Sequence, residues 1–207
     1  MTDYDLVVLG GGPGGYVAAI RASQLNMKVA LVERDNVGGI CLNWGCIPSK
    51  SLLRNAEVLS LVQHAEEFGI TFDNLKYDFG KAIDRSRDVV NKLTQGVSYL
   101  LKKNKVDVIT GKGVLKNSNT IEITDTGQNI TSKNIIIATG ARERTLPSLP
   151  VDGKIVITSR EALEMRNVPP RVIIVGGGAT GAEFAHIYRT YGSEVTIVEL
   201  LPRLIPN

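Results

Sequence analysis

The sequence predicts an α/β protein built from two strand–helix–strand units, the first of which carries a small β-meander insertion. The first observation is a repeat, because residues 5–34 and 171–200 align without a gap. The second is that each copy shows an apolar strand, a glycine turn, a helix and a second apolar strand ending in an acid. The third is that helical stripes and short β-like runs separate the two copies.

Composition and charge exclude several classes of protein. The 207 residues are 43% hydrophobic and 22% charged, which is typical of a globular domain. The densest basic cluster, Lys102, Lys103 and Lys105, closes a helical segment, where cations suit the helix dipole, so we expect no nucleic-acid partner. The first residues run directly into a strand without a basic leader or a long apolar run. We therefore expect a cytoplasmic protein with no membrane partner.

The first copy carries the pattern G-x-G-x-x-G on Gly10, Gly12 and Gly15, and its acid is Glu33. The matching residues of the second copy are Gly176, Gly178, Gly181 and Glu199. Glycines alone are weak evidence, since a tight turn needs them for backbone reasons only. Here a strand precedes each turn, a helix follows it, and the acid comes about 20 residues on. The pattern predicts two dinucleotide-binding, Rossmann-like units, while two turns that bind nothing remain the alternative.

Each part of this pattern has a physical reason. The first glycine makes the turn, the second lets the backbone approach a pyrophosphate, and the third lets the helix pack on the strand. The helix N-terminus then holds the phosphate charge. The acid accepts hydrogen bonds from ribose hydroxyls and repels a 2′-phosphate, which favours NAD over NADP. Two dinucleotides in one chain indicate electron transfer between them.

The region between the copies predicts two helices, over residues 49–69 and 79–101. A buried strand is predicted over residues 134–141, ending near a glycine. Short β-like runs, predicted as the meander insertion, are at 106–110, 113–115 and 120–124.

A proline-bearing stretch at residues 146–153 is the best candidate for a domain boundary. We therefore predict an N-terminal domain over residues 1–148, which would carry the first turn and both cysteines. The second predicted domain, residues 149–207, is only the start of a nucleotide-binding unit.

Cys41 and Cys46 are the only cysteines and are separated by four residues, in the string GGICLNWGCIPSK. In a reducing compartment such a pair is more often catalytic or metal-binding than structural. We predict no metal, because one pair supplies two ligands and both histidines lie far away in sequence. Cys46 stands just ahead of a predicted helix, whose N-terminus would stabilise a thiolate. Two inert buried cysteines remain the alternative.

This string resembles the redox-active disulfide motif of the flavin-dependent pyridine nucleotide disulfide oxidoreductases. Its CLN and CIPSK parts are most similar to the dihydrolipoyl dehydrogenase branch, whereas glutathione and mercuric reductases usually read CVN and CVP. The resemblance continues through GGGPGG, ATGA and GGGATGAEFA and covers the whole chain. It implies an enzyme of cell redox homeostasis that oxidises dihydrolipoamide with NAD⁺, with FAD and NAD as cofactors.

The resemblance also implies which residues bind these cofactors. FAD would be held by the first glycine turn and the ATG stretch, and NAD by the second turn. The implied FAD residues are Gly10, Gly12, Gly14, Gly15, Glu33, Arg34, Gly39, Lys50, Gly113, Ala138, Thr139 and Gly140. The implied NAD residues are Gly176, Gly178, Gly181 and Glu199.

Four catalytic residues are implied in the same way. Cys41 would exchange with the dithiol through a mixed disulfide, and Cys46 would lie next to the flavin. Lys50 matches the family lysine near the flavin N5, and Glu183 matches its acidic partner. Without the resemblance, Lys50 would be interpreted as a surface lysine and Glu183 as an ordinary helix residue.

Family members are longer than this chain, so the resemblance implies an N-terminal fragment of a homodimeric parent. The parent's C-terminal dimer domain would supply the catalytic base, so we expect that these 207 residues do not complete the reaction alone. The implied partners are dihydrolipoyl groups on lipoyl domains of 2-oxo acid dehydrogenase or glycine-cleavage complexes. Two alternatives stay open: a related disulfide or mercuric reductase, and a non-enzymatic nucleotide-binding module.

Overall fold

The computed structural model describes residues 3–205, which form two compact units. The first unit contains the chain up to Trp44 together with Val90–Arg144. The second contains Gly45–Val89 and the chain from Thr145 onward. The domain bounds predicted from the sequence stay a prediction, and their outermost residues, 1, 2, 206 and 207, lie outside the described residues.

The first unit is built on six strands. They are β1 (Tyr4–Leu9), β2 (Val29–Glu33), β3 (Asp107–Thr110), β4 (Gly113–Asn117), β5 (Thr120–Ile123) and β6 (Gln128–Ile137). Their order in the sheet is β3-β2-β1-β6-β5-β4. β1 pairs in parallel with β2 and β6, and β2 pairs in parallel with β3. The mixed sheet confirms the predicted fold class.

The meander consists of β4, β5 and the first part of β6, which are antiparallel. β6 is long enough to serve both regions, since residues 128–131 pair with β5 and residues 132–137 lie beside β1. One detail of the prediction is wrong. The first short β-like run, β3, does not belong to the meander, because it pairs with β2 at the edge of the parallel sheet.

Helix α1 (Pro13–Gln24) covers the parallel strands of the first unit. Proline fits its first turn, where the missing N–H has no helical partner. Small residues on its inner face, Gly15, Ala19 and Ala22, allow close packing on the sheet. A short helix, α2 (Gly39–Trp44), follows β2. The central apolar cluster of this unit consists of Val7, Leu9, Ala30, Val32, Ile121, Ile123 and Ile130.

The second unit contains most of the remaining elements. They are α3 (Cys46–Gln63), a 3₁₀ helix at Ala65–Phe68, α5 (Ser159–Ala162), β7 (Arg171–Val175), α6 (Ala179–Thr190) and β8 (Glu194–Val198). Helix α4 (Phe79–Lys103) contributes residues to both units. β7 and β8 pair in parallel along their whole length, as the repeat predicts.

Helix α3 differs from its prediction at both ends. It begins at Cys46, three residues before the predicted start, and ends at Gln63. The 3₁₀ helix then leads to Gly69, whose φ of 71° ends the helical segment in the left-handed conformation.

The core of the second unit joins α3 to α6. Apolar side chains from α3, α4, α6 and the C-terminal end of α5 form one cluster that includes Leu52, Ala56, Leu59, Phe79, Ile83, Leu163, Phe184, Ile187 and Tyr188. Arg166 donates two hydrogen bonds to Asp84, at 2.6 and 2.8 Å, and ties the segment after α5 to α4. Within residues 3–205, every helix is too short or too polar to cross a bilayer.

Candidate functional site

The first glycine turn follows β1 and contacts the carboxyl ends of β2 and β6. Gly10 has a φ of 109°, which favours glycine, and its N–H donates to the Val32 carbonyl at 2.8 Å. A Cβ at this position would lie 2.2 Å from the Ala138 carbonyl oxygen. A Cβ at Gly15 would lie 1.8 Å from the Gly10 carbonyl oxygen. Two of the predicted glycines are therefore required by the fold itself.

Other predicted FAD residues lie at the same sheet edge. Ala138, Thr139 and Gly140 directly follow β6, and Glu33 is the last residue of β2. Because β1, β2 and β6 are parallel, their carboxyl ends meet at one edge, where ligands of open α/β sheets bind. Within 4 Å of a Cβ built at Gly14 or Gly140 the structure places no other group, so the backbone there is open to a ligand.

Arg34 and Gly113, two further predicted FAD residues of the first unit, have different surroundings. Arg34 lies beside Asp35, with 3.7 Å between Nε and the carboxylate. A Cβ at Gly113 would lie 2.5 Å from Leu9 Cδ1, so the Cβ position of Gly113 faces the core rather than the open edge. Only the backbone of Gly113 could contact a cofactor.

Helix α2, which carries Cys41, is built directly on the glycine turn. The Gly38 N–H donates to the Gly11 carbonyl at 2.8 Å. A Cβ at Gly39 would lie 2.7 Å from the Gly12 Cα, so the two backbones are in contact. The amide of Asn43 donates to the carbonyl of Gly39 at 2.9 Å and to that of Val37 at 3.2 Å, and fixes the entry to the helix.

Cys46 is the first residue of α3. Gly45 is the N-cap residue and provides no side-chain cap. The hydroxyl of Ser49 donates to the Cys46 carbonyl at 3.3 Å. Both cysteines are thiols in this structure, and Cys46 is exposed whereas Cys41 is half-buried.

Lys50 and Glu183 form an ion pair within the second unit, with 2.5 Å between Nζ and Oε1. Lys50 lies on the first turns of α3, and Glu183 lies on α6. The pair exists because the core between these helices, including Leu52 and Phe184, holds them together. The side chain of Lys50 is 59% exposed and that of Glu183 is 25% exposed, so solvent weakens the attraction.

The second glycine turn repeats the geometry of the first. Gly176 has a φ of 106°, and its N–H donates to Val198 at 2.9 Å. A Cβ at Gly181 would lie 1.9 Å from the Gly176 carbonyl oxygen. Gly178 is the N-cap of α6. The carboxylate of Glu199 accepts the Leu201 and Gly177 N–H groups, and these hydrogen bonds hold the pKa of Glu199 below its ordinary value.

Sequence reasoning missed two glycines, Gly11 and Gly177, and one asparagine, Asn43. Gly11 and Gly177, the middle residues of the two turns, are buried and bonded to Glu33 and Glu199. Gly38 anchors α2, and Asn43 holds the loop before it. A signal for Gly11 and Gly177 was present, because both turns read Gly-Gly-Gly where the pattern asks for only two of the three.

The residues at the first turn fit a dinucleotide. In the described part of the chain, neither α1 nor α6 has a side-chain cap hydrogen bond at its N-terminus, where phosphate charge is favoured. The open backbone at Gly14 and Gly140 leaves room for a flat or phosphorylated ligand. The fold and the two turns are those of a dinucleotide-binding α/β protein.

A family model described as "Pyridine nucleotide-disulphide oxidoreductase" matches residues 4–207. The chain belongs to this family. FAD and NAD(H) are the cofactors that its members use.

Similar proteins carry a more specific name. The chain is 53% identical over 206 residues to the dihydrolipoyl dehydrogenase of Zymomonas mobilis. This alignment covers 98% of this chain and 44% of that relative. It is 47% identical to the dihydrolipoyl dehydrogenase of Bacillus subtilis, with 100% of this chain and 46% of the relative covered. The chain thus spans less than half the length of these relatives.

Among solved structures, the chain is similar to the HOCl-induced flavoprotein disulfide reductase RclA of Escherichia coli. A copper(II) complex of a cysteine-to-serine mutant of that reductase matches with a TM-score of 0.85 and 30% identity. The match covers 100% of this chain and 44% of that one. The structural likeness and the family agree on the fold.

Proposed function

We propose that this chain supplies the FAD site, the first part of the NAD site and the redox-active thiol pair of an NAD-dependent dihydrolipoyl dehydrogenase. The observation that carries the proposal is the contact between α2 and the first glycine turn. Gly38 bonds to Gly11 and Gly39 packs on Gly12, so the cysteine-bearing helix and the dinucleotide turn form one structure. The dihydrolipoyl dehydrogenase name of the similar proteins supports the choice of substrate.

FAD would be held by the first turn, by Glu33 and by residues 138–140. Pyrophosphate would lie at the N-terminus of α1, where Gly12 and Gly14 let it approach the backbone. When bound, FAD supplies a two-electron acceptor for the thiol pair and a hydride donor for NAD⁺.

The chemistry of the chain's own residues is thiol–disulfide exchange. A thiolate of dihydrolipoamide attacks Cys41 Sγ of a Cys41–Cys46 disulfide, and Cys46 leaves as a thiolate. The second substrate thiol then attacks the mixed disulfide, which closes the lipoamide ring and leaves Cys41 reduced. Two electrons and the substrate's protons have then moved to the protein, where both cysteines are reduced.

The Lys50–Glu183 ion pair would place a fixed positive charge near the thiol end of α3. Lys50 follows Cys46 by four residues on the same helix, about one turn away. Glu183 restricts the orientation of the ammonium group through the 2.5 Å contact. In this proposal Lys50 contacts the flavin and Glu183 is its positioning partner.

NAD would bind at the second turn. The carboxylate of Glu199 lies at the end of β8, where it would repel the 2′-phosphate of NADP. We therefore expect NAD to be preferred. The proposed partners are lipoyl domains and a second copy of the longer parent, and the proposed location is the cytoplasm. Each of these stays a prediction.

The test is dithiol oxidation by the purified chain supplied with FAD and a ferricyanide acceptor. Addition of the wild-type chain should accelerate the oxidation of dihydrolipoamide above the ferricyanide background, at most slowly, and addition of the Cys46→Ser variant should not. Oxidation of dihydrolipoamide no faster than of glutathione would favour a related disulfide reductase, and Hg²⁺-dependent turnover would favour a mercuric reductase. If the chain binds FAD but the wild type and the Cys46→Ser variant oxidise the dithiol at the same background rate, the chain would be a nucleotide-binding module.

A further inference from the structure

The middle glycine of the first turn is clamped at both of its backbone polar groups. The Gly11 N–H donates to Glu33 Oε2 at 2.7 Å. The Gly11 carbonyl accepts the Gly38 N–H at 2.8 Å. Gly11 is buried, so neither group is left to bulk water.

The second turn carries the same clamp. The Gly177 N–H donates to Glu199 Oε2 at 2.6 Å, and the Gly177 carbonyl accepts the Ile205 N–H at 2.8 Å. Gly177 is also buried. Because the two copies lie in different units with different surroundings, the repetition is not explained by one local packing arrangement.

Each carboxylate also uses its other oxygen within the chain. Glu33 Oε1 accepts the Asp35 N–H at 2.9 Å, and Glu199 Oε1 accepts the Leu201 N–H at 2.9 Å. The acid therefore bridges the glycine turn and the loop that follows its own strand.

The clamp leaves little room for a side chain on the middle glycine. A Cβ at Gly11 would lie 3.0 Å from Glu33 Oε2, and one at Gly177 would lie 2.5 Å from Leu204 Cδ2 and 3.2 Å from Glu199 Oε2. Contacts within the chain, including those with the acid, therefore favour glycine in the middle of each turn.

We propose that Glu33 and Glu199 are positioning residues that hold their glycine turns in the phosphate-binding conformation before any nucleotide is present. Their carboxylates fix the turn through the middle glycine, in addition to any contact with a ribose. The consequence for nucleotide binding rests on the proposed function, whereas the clamp itself does not. Replacing Glu199 to admit NADP would loosen the turn that must bind its pyrophosphate.

Glutamine is the sharpest substitution. Its amide keeps the size of the carboxylate but has one oxygen, so it can accept only one of the two N–H groups. Its NH₂ group then faces the other N–H, donor to donor. Hydrogen bonds to charged groups are also stronger than those to neutral ones.

The experiment is amide hydrogen exchange by NMR on the isotope-labelled chain without nucleotide. In Glu33→Gln, at least one of the amides of Gly11 and Asp35 should exchange roughly tenfold to a hundredfold faster than in the wild type. In Glu199→Gln, at least one of the amides of Gly177 and Leu201 should do so instead. Each variant is the matched control for the other, because the distant pair should keep its wild-type rate.

Unchanged exchange of both Gly11 and Asp35 in Glu33→Gln, or of both Gly177 and Leu201 in Glu199→Gln, would overturn the proposal. A pH titration of the wild-type chain tests it if a variant does not fold. The amide protons of Gly177 and Leu201 should shift with the same midpoint as the Glu199 carboxyl carbon; amides that do not respond would also overturn it. FAD is titrated separately, so a chain that fails to bind FAD contradicts the proposed function and leaves the exchange result intact.

Discussion

Alanine at two neighbouring glycines of α1, Gly14 and Gly15, should change the free energy of unfolding in opposite directions. In Gly15→Ala the new Cβ would lie 1.8 Å from the Gly10 carbonyl oxygen, although real Cβ atoms essentially never approach within 3.0 Å. Helix and turn must therefore separate by more than about 1 Å, which costs about 2–3 kcal/mol. In Gly14→Ala the Cβ meets nothing within 4 Å, so the helix gains up to about 1 kcal/mol because alanine restricts the unfolded chain.

Thermal unfolding followed by fluorescence measures both changes. The only tryptophan, Trp44, belongs to the first unit and reports its unfolding. Gly15→Ala should lower the melting temperature by roughly 4–10 °C, whereas Gly14→Ala should leave it equal or slightly higher. FAD affinity should fall in both variants, in Gly14→Ala because its open backbone faces the proposed ligand. Equal stability of the two variants would refute the close approach of Gly15 to Gly10.

Three further predictions concern the second unit and the thiols. Lys50→Met and Glu183→Gln should show a coupling free energy of unfolding of about 0.2–1 kcal/mol in a double-mutant cycle, because the pair is partly exposed; a value well above 1 kcal/mol would contradict this. Burial raises the pKa of Tyr188 from 10.0 to about 12, so its unfolded form loses the proton first. The free energy of unfolding should therefore fall by about 2 kcal/mol more in the wild type than in Tyr188→Phe as pH rises from 10 to 12, and parallel pH profiles would contradict the burial. Iodoacetamide should modify exposed Cys46 before half-buried Cys41 in the chain without FAD, as peptide mass spectrometry would show; the reverse order would contradict the placement of these side chains.

The local parts of the fold could be predicted because their signals are local. Apolar runs and the glycine spacing predict both strand–helix–strand units, and the close contacts of Gly10 and Gly15 explain why the spacing is so restrictive. The C-terminal end of α3 lies a few residues before its predicted position, because a 3₁₀ helix continues the same apolar pattern after Gln63.

The remaining features depend on contacts between distant parts of the chain. The strand order that places β3 beside β2 is not contained in the pattern of either strand. The Lys50–Glu183 ion pair joins residues 133 positions apart, and only the resemblance to a family brought it into consideration. The hydrogen bond from Gly11 to Glu33 could not be predicted either, because the sequence pattern relates the acid to a ribose and not to a backbone N–H of the turn.

The measurement that tests the central claim most directly is a visible absorption spectrum of the purified chain mixed with FAD and then freed of excess FAD. Dihydrolipoamide is added, with Cys46→Ser as the matched control. We expect a bound-flavin spectrum in both proteins. Adding the dithiol should change this spectrum in the wild type only. A chain that retains no flavin, or a Cys46→Ser variant that responds as the wild type does, would contradict the claim that this chain joins a flavin site to a redox-active thiol pair.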